Sequence, residues 1–189
     1  MDPIKILEKY YSKNPKLFEI LLKHSQAVTE KALKIAEKFP EVDKQFIYEA
    51  AMLHDIGVIF TYIPELNPEG KYPYIAHGYL GRELLEKEGY PKHALVCERH
   101  IGVGITKDEI IKKKLPLPPR DMVPQTLEEK IIAFADKFFS KRPDGIVKEK
   151  SVEEVIKEIS KYGEEKVKIF KKWLKLFEKG GLKWLSFLL

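Results

Sequence analysis

Residues 50–57 read Ala-Ala-Met-Leu-His-Asp-Ile-Gly, an apolar helix-forming run that closes on an imidazole, a carboxylic acid and a glycine. No other stretch constrains the chain as tightly. An adjacent His54 and Asp55 at the end of a buried helix are costly to desolvate unless something compensates their polarity. A bound metal ion is the commonest compensation for that pair. A core histidine bonded to its neighbour, with Gly57 as a plain helix cap, would satisfy the same residues. The positions of the other His and Asp residues decide between the two.

The chain around this stretch reads as helix almost throughout. Asp2-Pro3 and Asn14-Pro15 each place a capping side chain before a proline at the first helical position. From Leu17 through Leu21, Leu22, Val28 and Leu33 to Ala36 the apolar spacing is helical, with a bend expected near His24. Asp43 caps a third helix that should end at Gly57. Residues 58–74 carry Pro64, Asn67-Pro68-Glu69-Gly70 and Pro73 with no helical period, and loops of that length in a compact domain are usually functional or mobile. Helices resume near Ile75 and at Pro91, the latter closing past His100 at Gly102 and Gly104. Thr106–Glu109, Thr126–Glu129 and Ser151–Glu154 have capping-box spacing. Residues 115–124 are proline-rich and irregular, and the apolar residues 182–189 should dock on the core or on a second subunit. No strand and no internal repeat is found. The expected fold class is all-α: one helical domain over 1–189, with its motif-bearing core at about 23–142 and C-terminal helices over 151–189.

Composition narrows the setting. The chain has 189 residues, enough for one sizeable core and short for two. Charged residues make up 33%, dominated by Lys and Glu in a thermophile-like pattern. A single cysteine, Cys97, rules out an internal disulfide and suggests a reducing, cytoplasmic location. The opening Met1-Asp2-Pro3 is not expected to be a signal peptide, and no apolar run is long enough to span a bilayer. A net charge of +5 favours anionic ligands, although lysines that merely solvate helix faces give the same figure.

Against this map the chemistry-bearing residues fall on separate helices. His24 is in the second, His54-Asp55 closes the third, His77 opens the fourth, His100 ends the fifth, and Asp136 sits inside the apolar run Ile131–Phe139. An Asp flanked by Phe134, Ala135, Phe138 and Phe139 should be paired or bound to a cation. The order His, His-Asp, His, His, Asp, with Ile56-Gly57 after the pair and Ala135-Asp136-Lys137 downstream, resembles the HD superfamily of metal-dependent phosphohydrolases over roughly residues 23–142.

That resemblance implies a first metal site from His24, His54, Asp55 and Asp136, and a second that adds His77 and His100, with Asp55 shared between them. Two histidines and two carboxylates suit Fe, Mn, Co, Ni or Zn, and Mg is also compatible with the family chemistry. One or two divalent ions would be the cofactor, and a metal-bound hydroxide would cleave a phosphate ester or anhydride of a nucleotide or related small molecule. Asp55, Lys137 and Arg82 are the expected catalytic residues, with Arg142 a weaker phosphate partner. Tyr62, Tyr72 and Tyr74 could stack on a base or pack as a lid. His93 has no counterpart and is expected on the surface, where its replacement should be silent. Two departures stand out. Val58 occupies the position where some one-metal nucleotidases carry an acid, and His100-Ile101 stands where many two-metal relatives have adjacent histidines. A di-iron oxygenase is an alternative, as is a binding module without turnover. A homodimer is possible on this reading; nucleic acid and membranes are not expected partners.

Overall fold

The computed structural model describes residues 1–179. Among these the chain forms nine α-helices and no sheet strand. They are α1 (Pro3–Tyr11), α2 (Pro15–Ala36), α3 (Lys44–Leu53), α4 (His77–Lys87), α5 (Pro91–Arg99), α6 (Lys107–Lys112), α7 (Leu127–Asp136), α8 (Val152–Ser160) and α9 (Glu164–Lys179), with 3₁₀ turns at Ile56–Phe60 and Tyr74–Ala76. The all-α expectation holds. No described helix is long and apolar enough to cross a membrane.

Local chemistry starts the helices where the sequence places them. Asp2, Asn14, Asp43, Thr106, Thr126 and Ser151 each accept backbone N–H bonds in the first turn that follows. Caps of this kind are worth about 1 kcal/mol each. The boxes at Thr106 and Ser151 are reciprocal. At Thr126 only half of the box forms: Glu129 turns instead to the N–H of Gln125 (2.6 Å) and the guanidinium of Arg99 (2.9 Å). Glu129 is buried, and the arginine supplies the positive charge that a cap backbone could not.

Several boundaries differ from expectation. α2 is one uninterrupted helix through His24. α3 stops at Leu53, with His54 as its cap, and the next turn is 3₁₀. α7 stops at Asp136, so this carboxylate lies at a helix end and not in a helix interior. The long loop is ordered by its own backbone: Tyr62 N–H donates to Tyr72 O (2.8 Å), and Asn67 Nδ2 donates to the carbonyls of Ile59 and Thr61 (2.8 Å each).

Gly57 is more than a helix cap. A Cβ there would lie 2.1 Å from the carbonyl oxygen of His77 and 2.4 Å from the nitrogen of Gly81. Only glycine lets the turn after Asp55 press directly on the start of α4. Gly78 does the same one layer further, since its Cβ would stand 2.9 Å from the carbonyl oxygen of Cys97 on α5. These close approaches stack the Asp55 turn, α4 and α5 in succession.

Two apolar clusters flank that stack. One joins α2, α3, α7, α8 and α9 through residues such as Val28, Ile47, Ile131, Phe134, Phe170 and Trp173. The other joins α1, the start of α2, the Asp55 turn, α4 and α5 through Leu7, Leu21, Leu53, Ile56 and Leu85. The docking expected of residues 182–189, including Trp184 and Phe187, falls outside the described residues.

Candidate metal centre

Helix ends converge between the two clusters. His24 comes from mid-α2, His54 and Asp55 from the end of α3, His77 from the start of α4, His100 from the cap of α5, and Asp136 from the last residue of α7. All six are buried. Residues 112 positions apart in the chain meet directly: His24 Nε2 lies 3.0 Å from Asp136 Oδ1.

The six side chains divide into two sets around one carboxylate. In the first, His24 Nε2 and His54 Nε2 are 3.3 Å apart and stand 3.2 and 3.1 Å from Asp55 Oδ2, with Asp136 Oδ1 at 3.0 and 3.4 Å. In the second, His77 Nε2 and His100 Nε2 are 3.2 Å apart and stand 3.2 and 3.4 Å from the other oxygen, Asp55 Oδ1. Donor atoms about 2.1 Å from one ion, at tetrahedral to octahedral angles, are themselves roughly 3.0–3.4 Å apart. Both sets have that spacing.

The hydrogen bonds show why a cation fits. His54, His77 and His100 each direct Nδ1 at the carbonyl oxygen three residues earlier, on Ala51, Tyr74 and Cys97, at 2.6, 2.6 and 2.7 Å. A carbonyl only accepts, so each Nδ1 carries a proton, and each ring, when neutral, offers its Nε2 lone pair inward. Two bare lone pairs 3.2 Å apart repel unless a positive charge lies between them. Asp55 Oδ1 is moreover a buried oxygen with no hydrogen-bond partner among the described residues, which natural structures rarely tolerate without a ligand. The donor set therefore fits two divalent ions.

The electrostatics point the same way. Burial pushes the His54 imidazole down, but the Asp55 and Asp136 carboxylates outweigh it and lift the group to about 9. Burial pushes His77 down to about 3 and also lowers His100. Burial would raise both carboxylic acids, yet His54 and Lys141 beside Asp55, and Lys137 and His24 beside Asp136, hold them well below their usual range. Two ionised carboxylates in a buried pocket draw positive charge from every available source.

One of those sources was not anticipated from sequence. Lys141, just past the end of α7, places Nζ against Asp55 Oδ2 and 3.4 Å from His24 Nε2. Lys137 ion-pairs with Asp136 Oδ2 at 2.8 Å. Both lysines line a cleft of about 600 Å³ that opens from His77, His100 and Asp136 towards α6, α8 and α9. Tyr74 lines it and packs against His77, the rings tilted by 42° with centroids 4.8 Å apart; Tyr62 and Tyr72 do not line it.

Three expectations need correcting. Arg82 is turned away from the cleft and bound to Glu86 (2.8 Å) and to the buried Glu98 (2.5 Å), whose second oxygen is taken by Arg120. A guanidinium committed to two carboxylates is not available to a phosphate. Arg142 is solvent-facing and paired with Asp144 at 2.8 Å. His93 is not a surface residue: it is half-buried, 3.1 Å from Glu49, which also holds the Met1 ammonium at 2.7 Å. Val58 is fully buried among apolar neighbours, so an acid at that position would have no room to ionise.

Comparison with known proteins agrees with this geometry. Residues 21–141 match the HD domain family, and the chain belongs to that family. Together with the His/Asp cluster, this defines the class as an HD-type metal-dependent hydrolase. The chain is 40% identical over 161 residues to Uncharacterized protein MJ0778 of Methanocaldococcus jannaschii, covering 84% of this chain and 82% of that one. It is 35% identical over 123 residues to a tRNA (cytidine(56)-2'-O)-methyltransferase of Picrophilus torridus, covering 65% of this chain but only 32% of that protein. Among solved structures, the fold resembles the HD domain of the L. monocytogenes phosphodiesterase PgpH (TM-score 0.53, 20% identity, 89% of this chain and 94% of that one). The same domain in complex with cyclic-di-AMP matches at a TM-score of 0.51, with 20% identity and coverage of 92% and 93%.

Proposed function

We propose that this protein hydrolyses a phosphate ester or anhydride of a nucleotide or related small molecule, using two divalent ions. His24, His54, Asp55 and Asp136 would hold one ion; Asp55, His77 and His100 would hold the other. The observation that carries this reading is the division of Asp55, with Oδ2 turned to one ligand set and Oδ1 to the other. A carboxylate shared in this way suits the paired-ion sites used for phosphoryl chemistry. When bound, such ions supply a water acidic enough to act as nucleophile near neutral pH and neutralise charge on the phosphoryl oxygens.

The chain's own residues do the rest. The three Nδ1–carbonyl bonds fix the tautomers and aim the ligand atoms before any ion arrives. Tyr11 steadies the turn that carries Asp55: its hydroxyl donates to Ile56 O at 2.9 Å and accepts from Ile59 N–H at 3.0 Å. Lys137 and Lys141 line the cleft and put two ammonium groups beside the cluster, where a phosphate would be bound on this reading. Ile101, Ile105, Leu115 and Phe139 give the cleft apolar walls that exclude water and can hold a base or another flat apolar group. The cyclic-di-AMP bound by the PgpH domain supports, by fold likeness, a nucleotide as the class to test first.

The test is a screen of manganese- or cobalt-loaded protein against mononucleotides, cyclic and linear dinucleotides and an aryl phosphodiester. Turnover that disappears in Asp55→Asn supports the reading. No turnover on any of them, with both ions present, overturns it. Activity with a redox-inert ion also separates hydrolysis from oxygen-dependent cleavage.

A further inference from the structure

We infer that Lys141 is the residue that contacts the substrate's phosphoryl oxygen in this cleft. The inference rests on the phosphohydrolase reading and adds to it a binding group that the order of His and Asp residues does not contain.

The argument is one of charge and partners. Five lysines line the cleft: Lys113, Lys137, Lys141, Lys150 and Lys166. Lys150 is 2.7 Å from Glu158, and Lys166 donates to both Glu109 and the Gly104 carbonyl. Lys113 is half-exposed, with Glu109 at 3.8 Å. Lys137 rests on Asp136 Oδ2, the oxygen that the His24–His54 set leaves aside. Each of these has a carboxylate oxygen outside the ligand sets. Lys141 alone rests on an oxygen that His24 and His54 also face, Asp55 Oδ2.

Asp55 cannot serve all of these partners fully. With the histidines neutral, as ligands to an ion must be, the two negative charges of Asp55 and Asp136 are matched by the two positive charges of Lys137 and Lys141, so the cluster is balanced before any ion is counted. Each divalent ion adds two positive charges and draws on the same Asp55 oxygens. Lys141 is then left as a largely buried ammonium with a diluted counter-charge, an unfavourable state unless an anion joins it. Its side chain is 17% exposed, and it lines the cleft. The Tyr74 ring, 5.9 Å from Nζ, borders it on the loop side. A non-bridging phosphate oxygen entering along the cleft meets this ammonium beside the first ligand set, where it can form a charge-assisted hydrogen bond.

The test measures binding of inorganic phosphate to manganese-loaded protein by calorimetry, with ion content determined on the same samples. Wild type, Lys141→Met and Lys141→Arg are compared. The expected result is that Lys141→Met keeps both ions and binds phosphate about 10- to 100-fold more weakly, the loss of one hydrogen bond to a charged group. Lys141→Arg keeps most of the affinity. Wild-type affinity in ion-replete Lys141→Met overturns the inference and leaves the phosphohydrolase reading standing. Loss of the ions in both variants also overturns it, because Lys141 would then be part of the support of the metal cluster. If ion-replete wild type binds no phosphate, the phosphohydrolase reading falls and takes this inference with it.

Discussion

His77 and His100 face each other through Nε2 atoms 3.2 Å apart, while the Nδ1 atom of each is committed to a backbone carbonyl. Neither ring can donate a hydrogen bond to the other when both are neutral, so the contact is a paired acceptor site. Removing one member should empty the second set selectively. His100→Ala is expected to reduce bound manganese from two ions per chain towards one, read by elemental analysis after gel filtration. Retention of two ions would show that His100 is not a ligand.

Asp55 belongs to both sets, so its loss should not be selective. Asp55→Asn keeps the shape but halves the charge available to the cluster and leaves Lys141 without its partner. Ion content should fall towards zero, and turnover should fall by at least about 10³-fold, in line with the removal of a group that organises transition-state charge. A variant that still holds one ion tightly would contradict the sharing of Asp55.

Tyr11 is fully buried and bonded twice to the turn after Asp55. Tyr11→Phe leaves the Ile59 N–H without its acceptor, which should cost about 1–3 kcal/mol of unfolding free energy in urea titration. The effect on ion affinity should be small if the glycine packing alone holds the turn, and marked if the hydroxyl holds it. Unchanged stability would mean that the two bonds are replaced at no cost.

Gly57→Ala puts a methyl into backbone 2.1 Å away. The turn and α4 must separate, with an expected loss of about 3 kcal/mol or more. Because His77 opens α4, the second ion should be lost before the first. Thermal melts with and without manganese would show this as a reduced metal-dependent rise in Tm.

Glu49 and His93 give a pH dependence away from the metal centre. Burial would raise Glu49, but the Met1 ammonium, Gln45 and His93 outweigh it and lower the group below its usual value. Burial lowers His93, with Glu49 opposing. Both groups therefore bind protons more readily in the unfolded chain. Their stability contribution is present above the unfolded values and is lost on acidification, first from about pH 6.5 as His93 is forced to charge and then below about 4.5 as Glu49 protonates. His93→Gln should flatten the first step in denaturant titrations between about pH 7 and 5. An unchanged slope would show that His93 does not contribute it.

Much of this was legible in the chain because the relevant signals are local. Caps at Asp2, Asn14, Asp43 and Ser151 act within one helical turn, and each forms where the spacing places it. The six His and Asp residues stand out because buried polar groups in apolar helices need a reason. What escaped depends on long-range partners. Arg82 looks free in sequence, and only the fold brings Glu98, 16 positions away, to claim it. Lys141 looks like one more surface lysine until α7 ends at Asp136 and the chain folds back across Asp55. His93 has no counterpart in the family pattern and so reads as silent in sequence, while its partner, Glu49, lies 44 positions earlier on another helix.

The three imidazoles anchored to their own helix-end carbonyls have a consequence for assembly. Each ring's tautomer is chosen by a bond spanning only three residues, before the helices have met. Docking the helices then brings His77 and His100 together already in the form a cation requires, whereas His54, held protonated by Asp55 and Asp136, must give up a proton when an ion arrives. Capture at the second ligand set should accordingly release no proton from its rings, and capture at the first should weaken as the pH falls.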